Sequence, residues 1–355
     1  MIARSPDLIR IDATEADLLR LSQQISAILT ELPSEERSAR IRALWSKMAA
    51  RESEYATTAR QMRNSLALQL TEGPLDAARR RELAHKGPAI ADAWPRVARL
   101  IDRQLRPSSF PPLVTEVSEP VSGIQNSPLN YLMTVLSKLA NPVAQSESRH
   151  AETHYGDIPL SGAYFLNLLQ AASRVALAQN RSGPLRFLDV GCGGGSKVIA
   201  ASAMFDVAHG IELDAECVEH AQAFLNRIVA EAPQITQADA LLFSDYGNYE
   251  IIYFYRPMKA GHLALELEDR IVSQAAPGTI LIAPLNASLS RRSDVSQIAD
   301  VIFVAHQDAG ITRDIAQRAL TKGAEGRLVA RDPLRSLGFW DPIIVQSRRN
   351  GFDLR

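Results

Sequence analysis

The stretch Arg186-Phe-Leu-Asp-Val-Gly-Cys-Gly-Gly-Gly-Ser196 joins a short apolar run to a cluster of glycines. Phe187, Leu188 and Val190 predict a buried strand, and a helix is predicted to begin directly at Ser196. Glycine allows left-handed backbone conformations and places no side chain between the backbone and a ligand. The first N–H groups of a helix have no partner within it, so the stretch predicts a turn whose N–H groups face a polar or anionic ligand.

The spacing of the glycines separates two classes of nucleotide ligand. Dinucleotide-binding folds carry G-x-G-x-x-G, which would require a glycine at position 196, where this chain has Ser196. Instead Gly191, Gly193 and Gly195 alternate with other residues, and Asp189 lies two positions before the first glycine. This D-x-G-x-G-x-G pattern resembles the first motif of the seven-strand S-adenosylmethionine-dependent methyltransferases. A dinucleotide-dependent oxidoreductase is disfavoured and stays an alternative.

A second feature downstream agrees with this resemblance. The apolar run at 207–213 predicts a second strand, and Glu212 stands near its end. An acid at that position could accept hydrogen bonds from both hydroxyls of a ribose, and Asp214 is the alternative if the strand register differs. The resemblance implies an α/β fold with a doubly wound, Rossmann-like methyltransferase sheet, preceded by an all-α N-terminal region. The implied cofactor is S-adenosyl-L-methionine.

The resemblance also implies which residues contact that cofactor. The predicted contacts in the glycine turn and at the ends of the next two strands are Asp189, Gly191, Cys192, Gly193, Gly195, Glu212, Leu213, Asp239 and Ala240. Asp239 follows the third predicted strand, at 235–240, and would accept a hydrogen bond from the adenine amino group. Its alternatives are a turn-forming role and a shift of the site to Asp245. Asp189 is expected to support the turn.

The loop before the first strand supplies two further candidates. Tyr155 and Asp157 are predicted to contact the methionine end of the cofactor or the substrate, because the equivalent loop often closes over the cofactor in the resembled family. The other interpretation is a capping turn for a helix at 163–178, with Ser161 as its N-cap. Both interpretations stay open at this point.

The acceptor site is predicted at the end of a fourth strand, at 250–255. Ligands of open α/β sheets bind beyond the carboxyl ends of the strands, at the switch in strand order. The predicted catalytic residues are therefore Tyr253, Tyr255, Arg256 and Pro257. Arg256 either orients an anionic acceptor or pairs with a surface acid. The N-P-P-Y or D-P-P-Y motif of enzymes that methylate amino groups of bases or of glutamine is absent, which counts against those acceptors.

The other strands of the sheet are predicted at 279–283, 301–304 and 343–346. In the resembled family the last strand is antiparallel and joins the sixth by a hairpin. Here a long segment separates the last two predicted strands, so the sequence does not determine how the strands are arranged at this edge of the sheet.

The first hundred residues predict helices. Leu18, Leu21, Ile25, Ile28 and Leu32 repeat at steps of three and four, and Thr14 with Asp17 predicts an N-terminal cap before them. Further helices are predicted at 33–70 and 74–104, with a break at Gly87-Pro88. The predicted domains are a helical bundle or hairpin at 1–105, a Pro/Ser-rich linker at 106–127 and an S-adenosylmethionine-binding methyltransferase domain at 128–355.

Composition excludes several other classes of protein. The chain has 355 residues, 46% of them hydrophobic, and a formal net charge of −1, which suits two domains and gives no strong signal for nucleic acid. No apolar run approaches the length of a membrane span. Cys192 and Cys217 form no C-x-x-C pair, which fits a reducing cytoplasm. His150 and His154 lack the H-E-x-x-H order, so no metal is predicted.

The leading hypothesis is a methyltransferase that modifies a protein side chain or a small molecule. Transfer of an activated methyl group needs an aligned nucleophile and a dry site more than strong acids or bases, which agrees with the absence of a Ser-His-Asp pattern. The alternative is a non-catalytic, cofactor-binding regulatory or scaffold protein that acts through its helical N-terminal domain. Those helices also offer a surface for a homodimer.

Overall fold

The computed structural model describes residues 5–65, 74–105, 112–114, 128–140, 160–181, 183–229, 232–259, 261–286, 288–323 and 336–354. Its contacts divide the chain into two compact units. We call Met1–Phe110 with Thr321–Arg355 the helical unit, and Pro111–Leu320 the sheet unit. Except for 112–114, the predicted linker at 106–127 lies outside the described residues.

The described elements are numbered in chain order. The helices are α1 (Pro6–Ile28), α2 (Glu35–Ser65), α3 (Pro74–Ala91), α4 (Trp94–Gln104), α5 (Pro128–Ala140), α6 (Gly162–Ala178), α7 (Ser196–Ser202), α8 (Ala215–Ile228), α9 (His262–Gln274), α10 (Ala309–Leu320) and α11 (Asp341–Arg349). The strands are β1 (Arg186–Val190), β2 (Val207–Glu212), β3 (Gln234–Gln237), β4 (Ile251–Phe254), β5 (Ile280–Ile282), β6 (Val295–Ala299) and β7 (Ile302–Ala305). None of the described helices combines the length and the hydropathy needed to span a bilayer.

The helical unit is built around the apolar stripe of α1. Leu18, Leu21, Ile25 and Ile28 are all buried, which confirms the predicted periodicity, whereas Leu32 lies beyond the helix and is exposed. These residues join apolar side chains of α2, α4 and α11 in one core. Helical spacing on α1 therefore determines which face of that helix lies inside.

Two predicted boundaries in this unit are wrong. α1 begins at Pro6, and Thr14 lies within it, where its hydroxyl donates to the carbonyl of Arg10 at 2.9 Å. Proline is favoured in the first turn because it has no N–H to satisfy there. The predicted break at Gly87-Pro88 is also wrong, since α3 continues through Pro88 to Ala91.

The predicted strand at 343–346 is wrong, because these residues belong to α11. Ile343, Ile344 and Ser347 are buried on one face of that helix, and the isoleucines pack into the core of the helical unit. A run of four residues does not distinguish a strand from a helix by periodicity. This packing explains why residues 321–355 group with the N-terminal helices, whereas the predicted methyltransferase domain included them.

The sheet unit contains a seven-stranded sheet in the order β3-β2-β1-β4-β5-β7-β6. β1, β2, β3, β4 and β5 are parallel, and β7 is antiparallel to both of its neighbours. The order of the strands reverses between β1 and β4, so the switch point lies beside the glycine turn. This topology confirms the predicted doubly wound α/β fold.

The last two strands correct the prediction for the edge of the sheet. Residues 301–304 were predicted as the sixth strand, but the strand there is β7, which lies between β5 and β6. β6 and β7 form a hairpin, so the predicted long separation of the last two strands is wrong. The sequence pattern does not predict β6, because it is an edge strand in which Val295 is the only buried residue.

Helices cover both faces of the sheet. Phe187 on β1 lies in one apolar layer with Phe165 and Leu168 of α6. The next residue, Leu188, lies in a second layer with Leu267 and other residues of α9. Successive side chains of a strand point to opposite faces, so a central strand with both faces covered is apolar throughout. The carboxyl ends of the parallel strands lie together at one edge, where a ligand can bind.

Candidate functional site

The candidate site lies at the carboxyl edge of the parallel strands. The glycine turn follows β1, Glu212 ends β2, and residues 255–259 follow β4. β1 pairs with both β2 and β4, so these three ends are neighbours. The glycine turn, Glu212 and the segment after β4 therefore lie at adjacent strand ends, beside the switch point.

The backbone explains the spacing of the glycines. Gly191, Gly193 and Gly195 have φ values of 77°, 51° and 73°. This left-handed region is unfavourable for residues with a Cβ. A Cβ on Gly195 would also lie 2.4 Å from the Cδ1 atom of Ile235. The alternating pattern is thus a requirement of the turn itself.

The Glu212 carboxylate connects the end of β2 to this turn. Its Oε2 atom accepts the N–H of Gly193 at 2.9 Å. Its Oε1 atom accepts the N–H groups of Leu213 and Asp214 at 2.9 and 3.1 Å. A carboxylate has about four lone-pair positions, so this half-buried group retains acceptor capacity for a ligand. Its predicted role toward a ribose stays a prediction.

The turn offers fewer N–H groups to a ligand than the sequence predicts. The N–H groups of Gly191 and Cys192 both donate to the carbonyl of Ile211, at 2.9 and 3.0 Å. The N–H of Gly193 donates to Glu212. These three donors hold the turn against β2, so the expectation that they face a ligand is wrong.

Asp214 has a different function from Glu212. Its Oδ1 atom accepts the N–H groups of Glu216 and Cys217 at 2.9 and 3.2 Å, which caps the N-terminus of α8. An aspartate in this position satisfies N–H groups that have no partner within the helix. Its engagement as a cap favours Glu212 over Asp214 as the ligand-binding acid.

Asp239 forms a turn after β3. Its Oδ1 atom accepts the N–H of Leu241 at 2.9 Å, and its carbonyl accepts the N–H of Phe243 at 2.9 Å. The carbonyl of Ala240 accepts the hydroxyl of Tyr246 at 2.8 Å. The turn-forming interpretation of Asp239 thus has direct support. Because Asp239 is half-buried and one oxygen makes the turn, contact with adenine through the other stays a prediction.

Asp189 and Cys192 lie beneath the surface of the turn. Asp189 is 1% exposed and stands in register with Gly210 and Tyr253 on the neighbouring strands. Burial raises the pKa of the Cys192 thiol well above its ordinary value, and the carboxylates of Asp189 and Glu212 raise it further. The thiol is therefore neutral and unreactive, and it packs in the core.

Gly210 is a part of this arrangement that sequence reasoning missed. A Cβ at this position would lie 2.6 Å from the Sγ atom of Cys192 and 2.9 Å from the Cγ2 atom of Val198. The glycine therefore makes room for the Cys192 side chain between β2 and α7. A glycine within an otherwise apolar strand was the available signal, since it marks a close approach.

The predicted catalytic residues separate into two groups. Tyr253 is 1% exposed, and its ring packs edge to face against Phe165 with the centroids 5.0 Å apart. This burial favours a packing role for Tyr253 over contact with an acceptor. Tyr255 is half-buried and Arg256 is exposed, and both follow β4 at the edge where a ligand would lie.

The segment after β4 fits closely against the glycine turn. A Cβ on Gly191 would lie 2.8 Å from the Cβ atom of Pro257, so the absent side chain allows the contact. Arg256 has a φ of 47°. Residues other than glycine rarely adopt this conformation, and those that do are concentrated at functional sites. The structure therefore places Arg256 and Pro257 beside the turn, and their catalytic roles stay predictions.

Tyr164 and Asp300 extend the site in a way that the sequence did not reveal. The hydroxyl of Tyr164, in the first turn of α6, donates to the Oδ2 atom of Asp300 at 2.8 Å. Burial raises the pKa of Tyr164, and so do the neighbouring Asp300 and Tyr255. Asp300 lies in the β6–β7 hairpin, and its position could not be predicted because the sequence pattern does not predict β6.

The structure describes only part of the loop before α6. Tyr155, Asp157, His150 and His154 lie outside the described residues. Ser161 caps α6, and its hydroxyl oxygen accepts the N–H of Tyr164 at 3.4 Å, which confirms the predicted N-cap. Within the described ranges, no three His, Cys, Asp or Glu residues group as metal ligands.

The strand order defines a Rossmann-like sheet of the type found in seven-strand methyltransferases, so the predicted resemblance is confirmed at the level of the fold. No family model matches the chain, and no curated protein matches it. Solved structures do match. One is CalS10, an amino pentose methyltransferase from Micromonospora echinaspora, with 20% identity over 34% of this chain and 50% of that chain, and a TM-score of 0.27.

Two further solved structures are similar over part of their length. Magnesium protoporphyrin IX methyltransferase from Synechocystis PCC 6803 has 19% identity over 36% of this chain and 59% of that chain, with a TM-score of 0.27. TrmN from Thermus thermophilus has 17% identity over 39% of this chain and 48% of that chain, with a TM-score of 0.30. The match thus spans 48% to 59% of the length of these three proteins.

Proposed function

We propose that the chain is an S-adenosyl-L-methionine-dependent methyltransferase whose cofactor binds at the carboxyl edge of the sheet. The Glu212 carboxylate is the observation that carries this proposal. Three backbone N–H groups hold it at the end of β2, directly beside the glycine turn. A carboxylate held in this way is fixed in position and keeps acceptor capacity for a ribose hydroxyl.

The hydrogen bonds within the glycine turn favour a nucleoside ligand over a dinucleotide. A pyrophosphate needs N–H groups of the turn, but those of Gly191, Cys192 and Gly193 already donate within the protein. The negative charge of Glu212 at the Gly193 N–H also opposes a phosphate there. These contacts add to the sequence argument from Ser196 against an oxidoreductase.

The acceptor would bind beside the segment that follows β4. Bound S-adenosyl-L-methionine would supply a methyl group that is already activated. The task of the protein is to hold a nucleophile in line, about 3 Å away, and to exclude water. Tyr255, Arg256 and Pro257 border that space, and their positions support roles in orienting the acceptor.

Tyr164 and Asp300 would complete the polar wall of the acceptor site. Asp300 is exposed, and its carboxylate retains acceptor capacity beyond the bond from Tyr164. Together with the Tyr255 hydroxyl it suits an acceptor with N–H or O–H groups, on a protein side chain or a small molecule. In this proposal the sheet unit carries catalysis.

The alternative is a non-catalytic, cofactor-binding scaffold that acts through the helical unit. It shares the cofactor site with the first proposal and differs in whether methyl transfer occurs. The predicted homodimer through the N-terminal helices is compatible with either function, and sedimentation of the full chain tests it.

Two measurements on the full chain separate these functions. Calorimetry should show binding of S-adenosyl-L-methionine and none of NAD, and the reverse result would overturn the proposal. The chain is then incubated with cofactor labelled on the methyl group and with cell extract. Transfer above the level of a Gly193→Arg variant supports catalysis, whereas cofactor binding without transfer supports the scaffold.

A further inference from the structure

The helical unit contains a cavity of 960 Å³ that has no part in the proposed methyl transfer. Its walls come from α1, α2, α3 and residues 336–341. The volume lies within the usual range for small-molecule sites, about 300 to 1,000 Å³. Its size alone therefore admits an organic molecule.

Much of the wall is apolar or aromatic. Leu83 and Ile90 of α3 face the cavity together with Phe339. Phe339 packs edge to face against Tyr55 of α2, with the ring centroids 5.0 Å apart. Such surfaces bind the apolar body of a ligand, and the faces of aromatic rings attract cations.

The charge of the wall is negative. Its ionised side chains are Asp12, Glu15, Glu82, Asp341, Arg79 and Lys86, which are four carboxylates and two cations. Arg79 bonds to Asp12, Glu15 and Glu82, and Lys86 bonds to Glu82 at 3.2 Å. Both cations are thus engaged by the wall itself. An anionic ligand would have to displace these pairs, whereas a cationic ligand would balance the excess of carboxylates.

The hydroxyl of Tyr55 is an independent indication of a ligand. Its side chain is fully buried and lines the cavity, and its hydroxyl makes no hydrogen bond to any described residue. Burial raises the pKa of Tyr55, and the neighbouring Glu15 carboxylate raises it further. A buried hydroxyl without a partner is unfavourable, and a bound ligand that donates to its oxygen would remove that penalty.

Gly87 keeps the space beside this hydroxyl open. A Cβ on Gly87 would lie 3.4 Å from the hydroxyl oxygen of Tyr55 and 2.9 Å from the Cβ atom of Ala59. The glycine thus lets α3 approach α2 and leaves space beside the buried hydroxyl. A donor group of a ligand would approach the oxygen of Tyr55 from this side.

We propose that this cavity binds an organic cation, an amine with an apolar or aromatic body. The ammonium group would lie near Glu15 and donate to the oxygen of Tyr55. The body would lie against Phe339 and the apolar side chains of α3. An ammonium group only donates hydrogen bonds, which matches a wall rich in carboxylates.

The test uses calorimetry on the full chain with two probes of similar size and opposite charge. We expect 2-phenylethylammonium to bind saturably and 3-phenylpropionate to bind at least tenfold more weakly, or about 1.4 kcal/mol. Equal binding of both probes, or no binding of the amine, would overturn the proposal.

Three variants locate the site. Glu15→Gln and Tyr55→Phe should weaken binding of the amine several-fold, and Ala16→Phe, at an exposed position of the wall, should block it. Glu31→Gln is the matched control, because Glu31 pairs with Arg40 at 2.8 Å outside the wall. Thermal unfolding verifies that each variant is folded. Unchanged amine affinity in both Glu15→Gln and Ala16→Phe would contradict the assignment.

Discussion

The Oε2 atom of Glu212 accepts the backbone N–H of Gly193 at 2.9 Å, across 19 residues of sequence. This bond joins the end of β2 to the turn that follows β1, which are the two parts of the chain that the proposed cofactor would contact. The same carboxylate thus shapes the turn and keeps acceptor capacity for a ribose hydroxyl. Substitution of Glu212 is therefore the most direct test of the proposed cofactor site.

Replacement of Glu212 should weaken cofactor binding. We expect Glu212→Ala to cost about 1 to 3 kcal/mol of binding free energy, because ribose hydroxyls lose a charged acceptor and the Gly193 N–H loses its partner. Calorimetric titration with S-adenosyl-L-methionine measures the effect. Asp214→Ala is the matched control, since it removes only the α8 cap and should reduce stability by about 1 kcal/mol with little change in affinity. Equal affinities of wild type and Glu212→Ala would rule out this role.

The glycines of the turn should differ in their tolerance of alanine. Gly195→Ala forces a Cβ into a φ of 73°, which should cost about 1 to 2 kcal/mol of folding free energy, with added strain against Ile235. Gly194 is not among the glycines with positive φ, so Gly194→Ala should cost less. Urea unfolding of both variants measures the difference. Similar losses in the two variants would mean that the backbone of the turn is not the cause.

Removal of the Tyr164 hydroxyl should affect transfer more than cofactor binding. Tyr164→Phe deletes the bond to Asp300 and leaves the ring packed, so stability should fall by about 1 kcal/mol. If Asp300 orients the acceptor, label transfer should fall several-fold while affinity for the cofactor is retained. Tyr249→Phe serves as the comparison, because its hydroxyl bonds to the ring of His209 at 2.9 Å, outside the predicted site. A loss of transfer no greater than that of Tyr249→Phe would contradict the role of Asp300.

His209 should make the stability of the chain depend on pH. Burial lowers the pKa of this imidazole, so the unfolded chain binds a proton at His209 more readily than the folded chain. Stability should therefore decline as the pH falls through about 6.5, the ordinary histidine pKa, and level off below the pKa in the folded state. His209→Gln should remove this part of the decline, as measured by urea unfolding at pH 7 and pH 5. The same decline in the variant would assign it to other groups.

The helical unit should depend on Arg79 more than on surface arginines. Arg79 is 24% exposed at its side chain and bonds to carboxylates on α1 and α3. Arg79→Met leaves these carboxylates close together without their cation, which should cost about 1 to 3 kcal/mol. Arg40→Met breaks an exposed pair with Glu31 and should cost about 0 to 1 kcal/mol. Thermal unfolding compares the two, and equal shifts in melting temperature would contradict a special role for Arg79.

The sequence by itself determined the strand, turn and helix around Gly191 to Gly195, the N-cap at Ser161 and the acid at the end of β2. Each of these depends on neighbours in the chain: short apolar runs, left-handed φ values and the N–H groups of a first helical turn. Local rules are sufficient there because the residues that interact are close in sequence.

Tertiary structure decided the rest. Residues 343–346 are helical because their apolar side chains fit the core of the helical unit, and β6 is a strand because β7 supplies its hydrogen bonds. The Tyr164–Asp300 bond spans 136 residues, and the carboxylates around Arg79 come from different helices. Such pairs leave no periodic signal, because the free energy that selects them comes from contacts that exist only after the chain has folded.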